Sequence, residues 1–397
     1  MPESEQTFPH PSPPLRKRGG GREEGSALRV LLLTLAYFPD TTGGAERQAR
    51  LQAEALVRRG HSVTVVCPRQ QRQRETVTQI RGVEVRRVGF PVLPVSRVWY
   101  VVALVMWMLV NLRQFDIVHV HALRLPSNLT AWLALLLRRP VYVKIAAAGE
   151  QGETAYWARG WRRRISVLPY ASRVQALTDE IAAQLTEAGV PRDRIVLVPN
   201  GIDLARYPPV DAETKHAQRR ALGLAADGVI VLYCGSFQPL KGTPDLLDAW
   251  KHMGPSNATL VLLGEAANGY RVPVTNGVLL RLWQEDVAAY LQAADVFVLP
   301  SRAEGMSNAL LEALASGLAV VSTRVGAAEA LIADREQGLL VAPRDVRSLA
   351  TALREVIEDP ALREKLASRA PGAVSALGID AVAARIEQVY SDMVARK

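Results

Sequence analysis

The chain has 397 residues, of which 49% are hydrophobic and 22% charged, enough apolar material for two domain cores and too much for a disordered protein. Its two cysteines, Cys67 and Cys234, lie far apart without metal-ligand spacing, so neither a disulfide framework nor a zinc site is indicated and a reducing compartment fits. The net charge of +9 is uneven: residues 28–175 hold 22 Lys/Arg against 8 Asp/Glu, residues 176–397 hold 22 against 27, and residues 1–27 cancel at four of each. A cationic first half favours an anionic partner, whether lipid headgroups, nucleic acid or a phosphorylated substrate.

Residues 1–27 are rich in Pro, Gly, Ser and Arg and read as a disordered tail. The opening residues lack the basic and apolar stretches of a secretory signal. Residues 28–36 form an apolar run of strand length, followed by a turn-rich 39–44. A helical pattern then runs to Arg59, with Gly60 as its stop, and residues 61–67 read as the next strand. Near-continuous Val and Leu in these strands predicts a parallel sheet covered on both faces.

The pattern recurs at 116–121, 141–145 and 173–177. Beyond Pro209 a polar, helical connector leads to a second series at 229–234, 259–263, 295–299 and 319–322. The fold class is therefore α/β, with two doubly wound, Rossmann-like domains in series. The domains are expected at 28–205 and 206–375, with an amphipathic helix over 376–397. No repeat of solenoid period is present.

Residues 98–112 are apolar on every side, yet Arg97 and Arg113 bracket only fifteen positions where a spanning helix needs roughly 20. A transmembrane helix is not expected. A buried helix and a helix lying partly in a bilayer both fit. Residues 155–164 add Trp157 and Trp161 beside four arginines, and five of the seven tryptophans fall within 99–161. That composition suits an anionic membrane interface.

The stretch most indicative of chemistry runs from Pro300 to Gly317. It follows a strand and opens a helix, with Gly305 permitting a tight turn and Ser307 placed as the cap. The free N–H groups of a helix start suit a phosphate. Glu304 falls in the loop facing a ligand and Glu312 about one and a half turns into the helix. A carboxylate accepts well from two vicinal hydroxyls, so the pair points to a sugar nucleotide.

This stretch resembles the E-x7-E motif of family GT4, the retaining glycosyltransferases of GT-B fold. Other landmarks fall in the family's order along 28–395: Gly43-Gly44-Ala45-Glu46, Gly60-His61, and the strand 116–121 that ends in His121. Residues 198–203, 235–242, 325–329 and 338–341 complete the set. The resemblance implies two domains facing each other across a cleft, the first for the acceptor and the second for the nucleotide sugar. It also implies that the C-terminal helix packs on the first domain.

Residue roles follow from the same resemblance. Glu304 would contact the donor sugar near the reacting centre, Glu312 the ribose hydroxyls, and Lys241 the diphosphate. His121 would bind the donor sugar at the cleft edge, with His119, two residues back on the same strand face, structural. Gly43 and Gly44 would let backbone amides approach the distal phosphate. Gly235 and Ser236 fall in the second domain's phosphate loop, and Met306 and Asn308 beside Gly305 and Ser307 at the helix start. No metal and no cofactor is expected: the sequence has no Asp-x-Asp pair, and Lys241 with N–H donors can carry the leaving-group charge.

Two departures stand out. Ser236 occupies a place where the family often has an arginine, five positions before Lys241, so either Lys241 suffices or another base such as Arg302 helps. Residues 279–283 replace a usual Leu-Gly turn near the nucleotide base. The expected reaction is transfer of a hexose, with retention, from a UDP- or GDP-sugar to a glycan or lipid-linked acceptor in cell-envelope or polysaccharide synthesis. It is expected in the cytoplasm, with an anionic membrane surface as a further candidate partner. A sugar-nucleotide epimerase of the same fold and a non-catalytic sugar-nucleotide-binding subunit are the alternatives. A NAD-linked dehydrogenase is disfavoured, because the first turn lacks G-x-G-x-x-G. No nucleic-acid partner is expected, since no recognised binding motif accompanies the basic half.

Overall fold

The structure is a computed structural model that describes residues 27–395 apart from 41–42, 70–74, 90–93, 148–151, 255, 268, 274–275 and 285–286. All but the last residue of the expected tail lies outside these.

The first sheet contains β1 (Arg29–Leu33), β2 (Ser62–Pro68), β3 (Val77–Ile80), β4 (Val83–Val88), β5 (Ile117–His121), β6 (Val141–Lys144), β7 (Arg173–Ala176) and β8 (Ile195–Leu197). Their order is β3-β4-β2-β1-β5-β6-β7-β8. All neighbours are parallel except β3 and β4. The second sheet contains β9 (Val229–Cys234), β10 (Ala258–Leu263), β11 (Val278–Arg281), β12 (Val296–Leu299), β13 (Ala319–Thr323) and β14 (Gly338–Val341), in the parallel order β11-β10-β9-β12-β13-β14.

Helices α1 (Gly44–Arg58), α2 (Pro94–Asn111), α3 (Leu125–Leu136), α4 (Glu153–Ala158), α5 (Trp161–Ile165) and α6 (Asp179–Glu187) cover the first sheet. The connector carries α7 (Ala212–Ala221). Around the second sheet lie α8 (Thr243–Met253), α9 (Ala288–Ala293), α10 (Asn308–Ala315), α11 (Ala328–Leu331), α12 (Val346–Glu358) and α13 (Pro360–Arg369), before the terminal α14 (Ile379–Ala395).

Strand periodicity divides each core in two. Leu31 and Leu33 of β1 join α2, α3 and α6 on one side, whereas Val30 and Leu32 join α1 and α14 on the other. In the second half, Ile230 and Leu232 face α9 and α10, while Val231 and Tyr233 face α8 and α12. Helix α14 returns to the first sheet through Val382, Ile386 and Tyr390, all fully buried. The two crossings between halves run side by side: Ile202 N–H donates to Leu377 O at 2.9 Å and Ile379 N–H to Ile202 O at 2.8 Å.

Three elements were not expected. The β3–β4 hairpin turns through Arg81 (φ 48°) and Gly82 (φ 81°), both left-handed, as a two-residue hairpin turn requires. β3 is a half-exposed edge strand and β4 beside it alternates buried and half-buried positions, so neither reads as a continuous apolar run. Edge strands β8 and β11 are apolar but only three and four residues long and partly exposed. Helix α2 is neither wholly buried nor spanning: Leu104 and Met108 face the core while Trp99 (63% exposed) and Val110 (77%) face out. No helix among the described residues is long and apolar enough to cross a membrane.

Candidate active site

A cleft of about 1250 Å³ opens between the C-terminal ends of the two sheets, where parallel α/β sheets place their ligands. Gly43, Gly44, His121, Gly235, Ser236, Lys241, Glu304, Gly305, Met306, Ser307, Asn308 and Glu312 all line it. The residues expected to hold the donor are thus brought to one cavity, with His119 behind its wall.

Two helix starts meet there. α1 begins after Gly43, which lacks a side-chain cap. α10 begins after Ser307, whose Oγ accepts from Leu310 N–H at 3.4 Å. Asn308 joins them by donating through Nδ2 to Gly44 O at 2.8 Å. Gly305 brings the two halves closest: a Cβ there would lie 2.2 Å from Ala146 O, across the cleft. Gly242 (φ 69°) closes the turn after Lys241, where a Cβ would meet Pro300 O at 1.8 Å.

Both carboxylates of the motif are held by cations. Lys241 Nζ lies 2.7 Å from Glu304 Oε1, which also accepts from Ser301 Oγ at 2.8 Å. Glu312 is buried, and burial pushes its carboxyl pKa up against the opposing pull of Arg47 and Arg206. Arg47 reaches it from α1 at 2.9 Å and donates its other Nη to Tyr207 Oη at 2.8 Å.

His121 is buried at the cleft wall, its Nε2 sharing a hydrogen bond with Gln52 Oε1 at 2.9 Å. His119 lies one ring further in, 4.4 Å between centroids, with Nδ1 bonded to Tyr390 Oη at 2.6 Å. Burial holds both well below the usual histidine range, so both are neutral at pH 7.

Sequence reasoning missed Lys144, Arg47 and Gln48, and took Asn200 only as part of a landmark. Lys144 is buried at the end of β6, beside the cleft, and donates to Asn200 Oδ1 at 2.8 Å. Desolvation lowers its pKa to about 7, opposed by Glu153. Its signal was a lone lysine at the C-terminal end of a Val-Tyr-Val strand. Arg302 lines the cleft with its guanidinium in a bidentate pair with Asp245, at 2.8 and 2.7 Å. Ser236 Oγ accepts from Gln238 Nε2 at 2.7 Å. Among the described residues, no group of three or more His, Cys, Asp or Glu side chains is gathered to hold a metal.

Two Rossmann-like halves that meet at a cleft define the GT-B architecture. Residues 42–206 match glycosyltransferase family 4, and residues 228–359 match glycosyl transferases group 1. The chain belongs to this group 1, GT4-type glycosyltransferase family. It is 32% identical over 248 residues to a D-inositol 3-phosphate glycosyltransferase of Xylanimonas cellulosilytica, covering 58% of this chain and 59% of that one. A second, from Streptomyces avermitilis, is 29% identical over 308 residues, covering 70% and 65%. The chain therefore spans less than two thirds of the length of these relatives. By structure it is similar to sucrose-phosphate synthase of Thermosynechococcus elongatus (TM-score 0.78, 22% identity, 93% of this chain and 100% of that one). HepE of Anabaena in complex with UDP-glucose gives a TM-score of 0.75 at 19% identity, over 93% and 100%. These two likenesses show the fold.

Two outcomes follow from the geometry. Gly305→Ala puts a methyl against Ala146 O and should force the halves apart, costing about 1–3 kcal/mol. A lower melting temperature and a larger radius of gyration by X-ray scattering are expected, with Gly372→Ala, which meets nothing within 4 Å, as the silent control. For Lys144 the depressed pKa means that the unfolded chain binds more protons between about pH 7 and the ordinary lysine value, so the fold gains stability as pH rises through that window. Lys144→Met should flatten that slope in denaturant titrations at pH 7, 8.5 and 10.

Proposed function

We propose that this glycosyltransferase moves a hexose from a UDP- or GDP-linked sugar to a glycan or lipid-linked acceptor, retaining the anomeric configuration and using no metal. The reaction serves cell-envelope or polysaccharide assembly on the cytoplasmic side of the membrane. The observation that carries this reading is the pairing of Lys241 with Glu304 beside the start of α10.

Breaking a glycosidic bond to diphosphate builds positive charge on the anomeric carbon and negative charge on the departing oxygens. Lys241 pairs with Glu304 now and with the diphosphate when the donor enters, which turns the Glu304 carboxylate to the sugar. The N–H groups at the start of α10 add donors to the leaving group, and those after Gly43 and Gly44 receive the distal phosphate. Glu312, oriented by Arg47 and Tyr207, accepts from the ribose hydroxyls. Neutral His121, fixed by Gln52, hydrogen-bonds the donor sugar.

The HepE complex with UDP-glucose supports a nucleotide-sugar donor. The names of the curated relatives make a phosphorylated polyol the first soluble acceptor to try. The excess of positive charge over residues 28–175 suits such an acceptor as well as a phosphate-linked lipid.

Offered UDP-, GDP- and ADP-sugars in turn, the protein should release one nucleotide slowly, at a rate EDTA does not change. Glu304→Ala should lower that rate by roughly 100-fold or more without moving the melting temperature by more than a few degrees. Full turnover in this variant overturns the site assignment. Activity lost to EDTA and restored by a divalent ion overturns the metal-free mechanism.

A further inference from the structure

The outer face of the first half carries a feature that catalysis does not use. Val98, Trp99, Val102, Met106, Leu109 and Val110 of α2 are all exposed. At 100° per residue they fall within an arc of about 120°, on the side away from the buried Leu104 and Met108. A helix on a water-facing surface places its charged residues on such an arc. Here residues 98–112 contain none.

The apolar arc continues onto neighbouring helices. α3 lies beside α2, joined where Arg139 donates to Arg113 O at 2.7 Å, and exposes Leu129 and Leu136 (79%). α5 lies beside α3, joined where Trp132 Nε1 donates to Ile165 O at 2.8 Å, and exposes Trp161 (60%). Tyr170, also exposed, packs against Trp132 in a tilted pair with 5.0 Å between ring centroids. All three helices sit on the same side of the sheet.

On α2, α3 and α5 and the turns that flank them, the exposed charges are all basic, and the acidic Asp179, Glu180 and Glu187 sit on α6 beyond them. Arg113, Arg138, Arg159, Arg163 and Arg164 are exposed, and none forms an ion pair with a described residue. Between Val88 and Gly149 the sequence has a single acidic residue, Asp116, which is buried and accepts from Arg29 N–H at 2.9 Å. Beside α5 a cavity of about 480 Å³ is lined by Arg163, Arg164, Ser166 and Tyr170 over Trp157, with donors suited to a phosphate group.

We propose that the α2–α3–α5 face docks on an anionic phospholipid bilayer, with the α2 arc and Trp161 in the acyl boundary and the arginines on headgroup phosphates. Apolar side chains, interfacial tryptophans and unpaired arginines on one surface are what a bilayer recognises, and the charge complementarity selects anionic lipid over a neutral surface. The face borders the cleft. α3 starts four residues after His121, and Glu153 ties the loop before it to the cleft wall by accepting from both Leu123 N–H and Ala146 N–H. The proposal stands apart from the donor assignment, because its readout needs no turnover.

Co-sedimentation of the full chain with vesicles of phosphatidylcholine alone, and with added phosphatidylglycerol, tests it. Binding is expected on the anionic vesicles only, weakening as salt rises, with a blue shift of tryptophan emission. Trp99→Glu combined with Val110→Glu should reduce partitioning at least tenfold, and Arg163→Glu with Arg164→Glu by about tenfold. Both pairs are surface changes, and each should leave nucleotide-sugar binding in the cleft as in the parent chain. Equal binding of parent and variants overturns the proposal, as does equal binding to neutral vesicles. A dimer in solution that Trp99→Glu dissociates also overturns it, because the face would then belong to a second copy.

Discussion

Asn308 and Asn200 join three distant parts of the chain at one point, and the site depends on that junction. Asn308 donates to Gly44 O while its Oδ1 accepts from Gln48 Nε2 at 3.0 Å and from Asn200 Nδ2 at 3.1 Å. Gln48 in turn donates to Gly201 O at 2.7 Å and accepts from Gly201 N–H at 3.1 Å. Asn200 also donates to Met306 O at 3.1 Å and receives Lys144. These amides hold the starts of α1 and α10 face to face. Two helix N-termini so placed concentrate positive potential, and the ligand that relieves it is an anion. A preference for an anion therefore follows from how the halves are joined, before any charged side chain is counted.

The charged side chains then serve a second need. A buried carboxylate without a partner is costly, so Glu312 and Glu304 each require a cation wherever the ligand does not supply hydrogen-bond donors. Arg47 meets the requirement from the opposite half and Lys241 from the same half. The difference matters. Exchanging Lys241 between Glu304 and a phosphate leaves both halves intact, whereas the Arg47–Glu312 pair belongs to the same joint as Asn308. The neutral His119–His121 pair and the depressed Lys144 fit this electrostatic design. Lys144 faces the same positive region as the helix starts, and burial keeps the extra cost of its charge low by favouring the neutral form.

The sequence revealed what is local and concealed what is not. β1, β2, β5, β9 and β12 were readable because strands covered on both faces are nearly continuous in Val, Leu and Ile. The β3–β4 hairpin was not, because a solvated edge strand alternates and resembles a loop. Gly305, Ser307 and Glu304 were legible from turn and cap chemistry within a few residues. Arg47 and Gln48 read as an ordinary solvated helix face, and only contacts spanning more than 150 positions make them part of the site. The pairing of Arg302 with Asp245 was hidden for the same reason, since nothing near Arg302 in sequence announces it. For α2 the composition showed an apolar helix, but only the packing of Leu104 and Met108 tells which side is left outside.

That side has a geometric consequence. α2, α3 and α5 lie on one face of the first sheet, whereas α1, α14 and the paired crossings at Ile202 and Ile379 lie on the other. A surface bound through the first face leaves the connection between the halves untouched. The second half meets the first through the cleft and these crossings, and the Asn308 junction ties it to α1, on the side of the sheet away from α2. The exposed apolar arc and the joint between the halves thus lie on opposite faces of one sheet. The loop between His121 and α3 leads from that arc to the cleft wall, so the path from the exposed face to the cleft does not pass the joint between the halves.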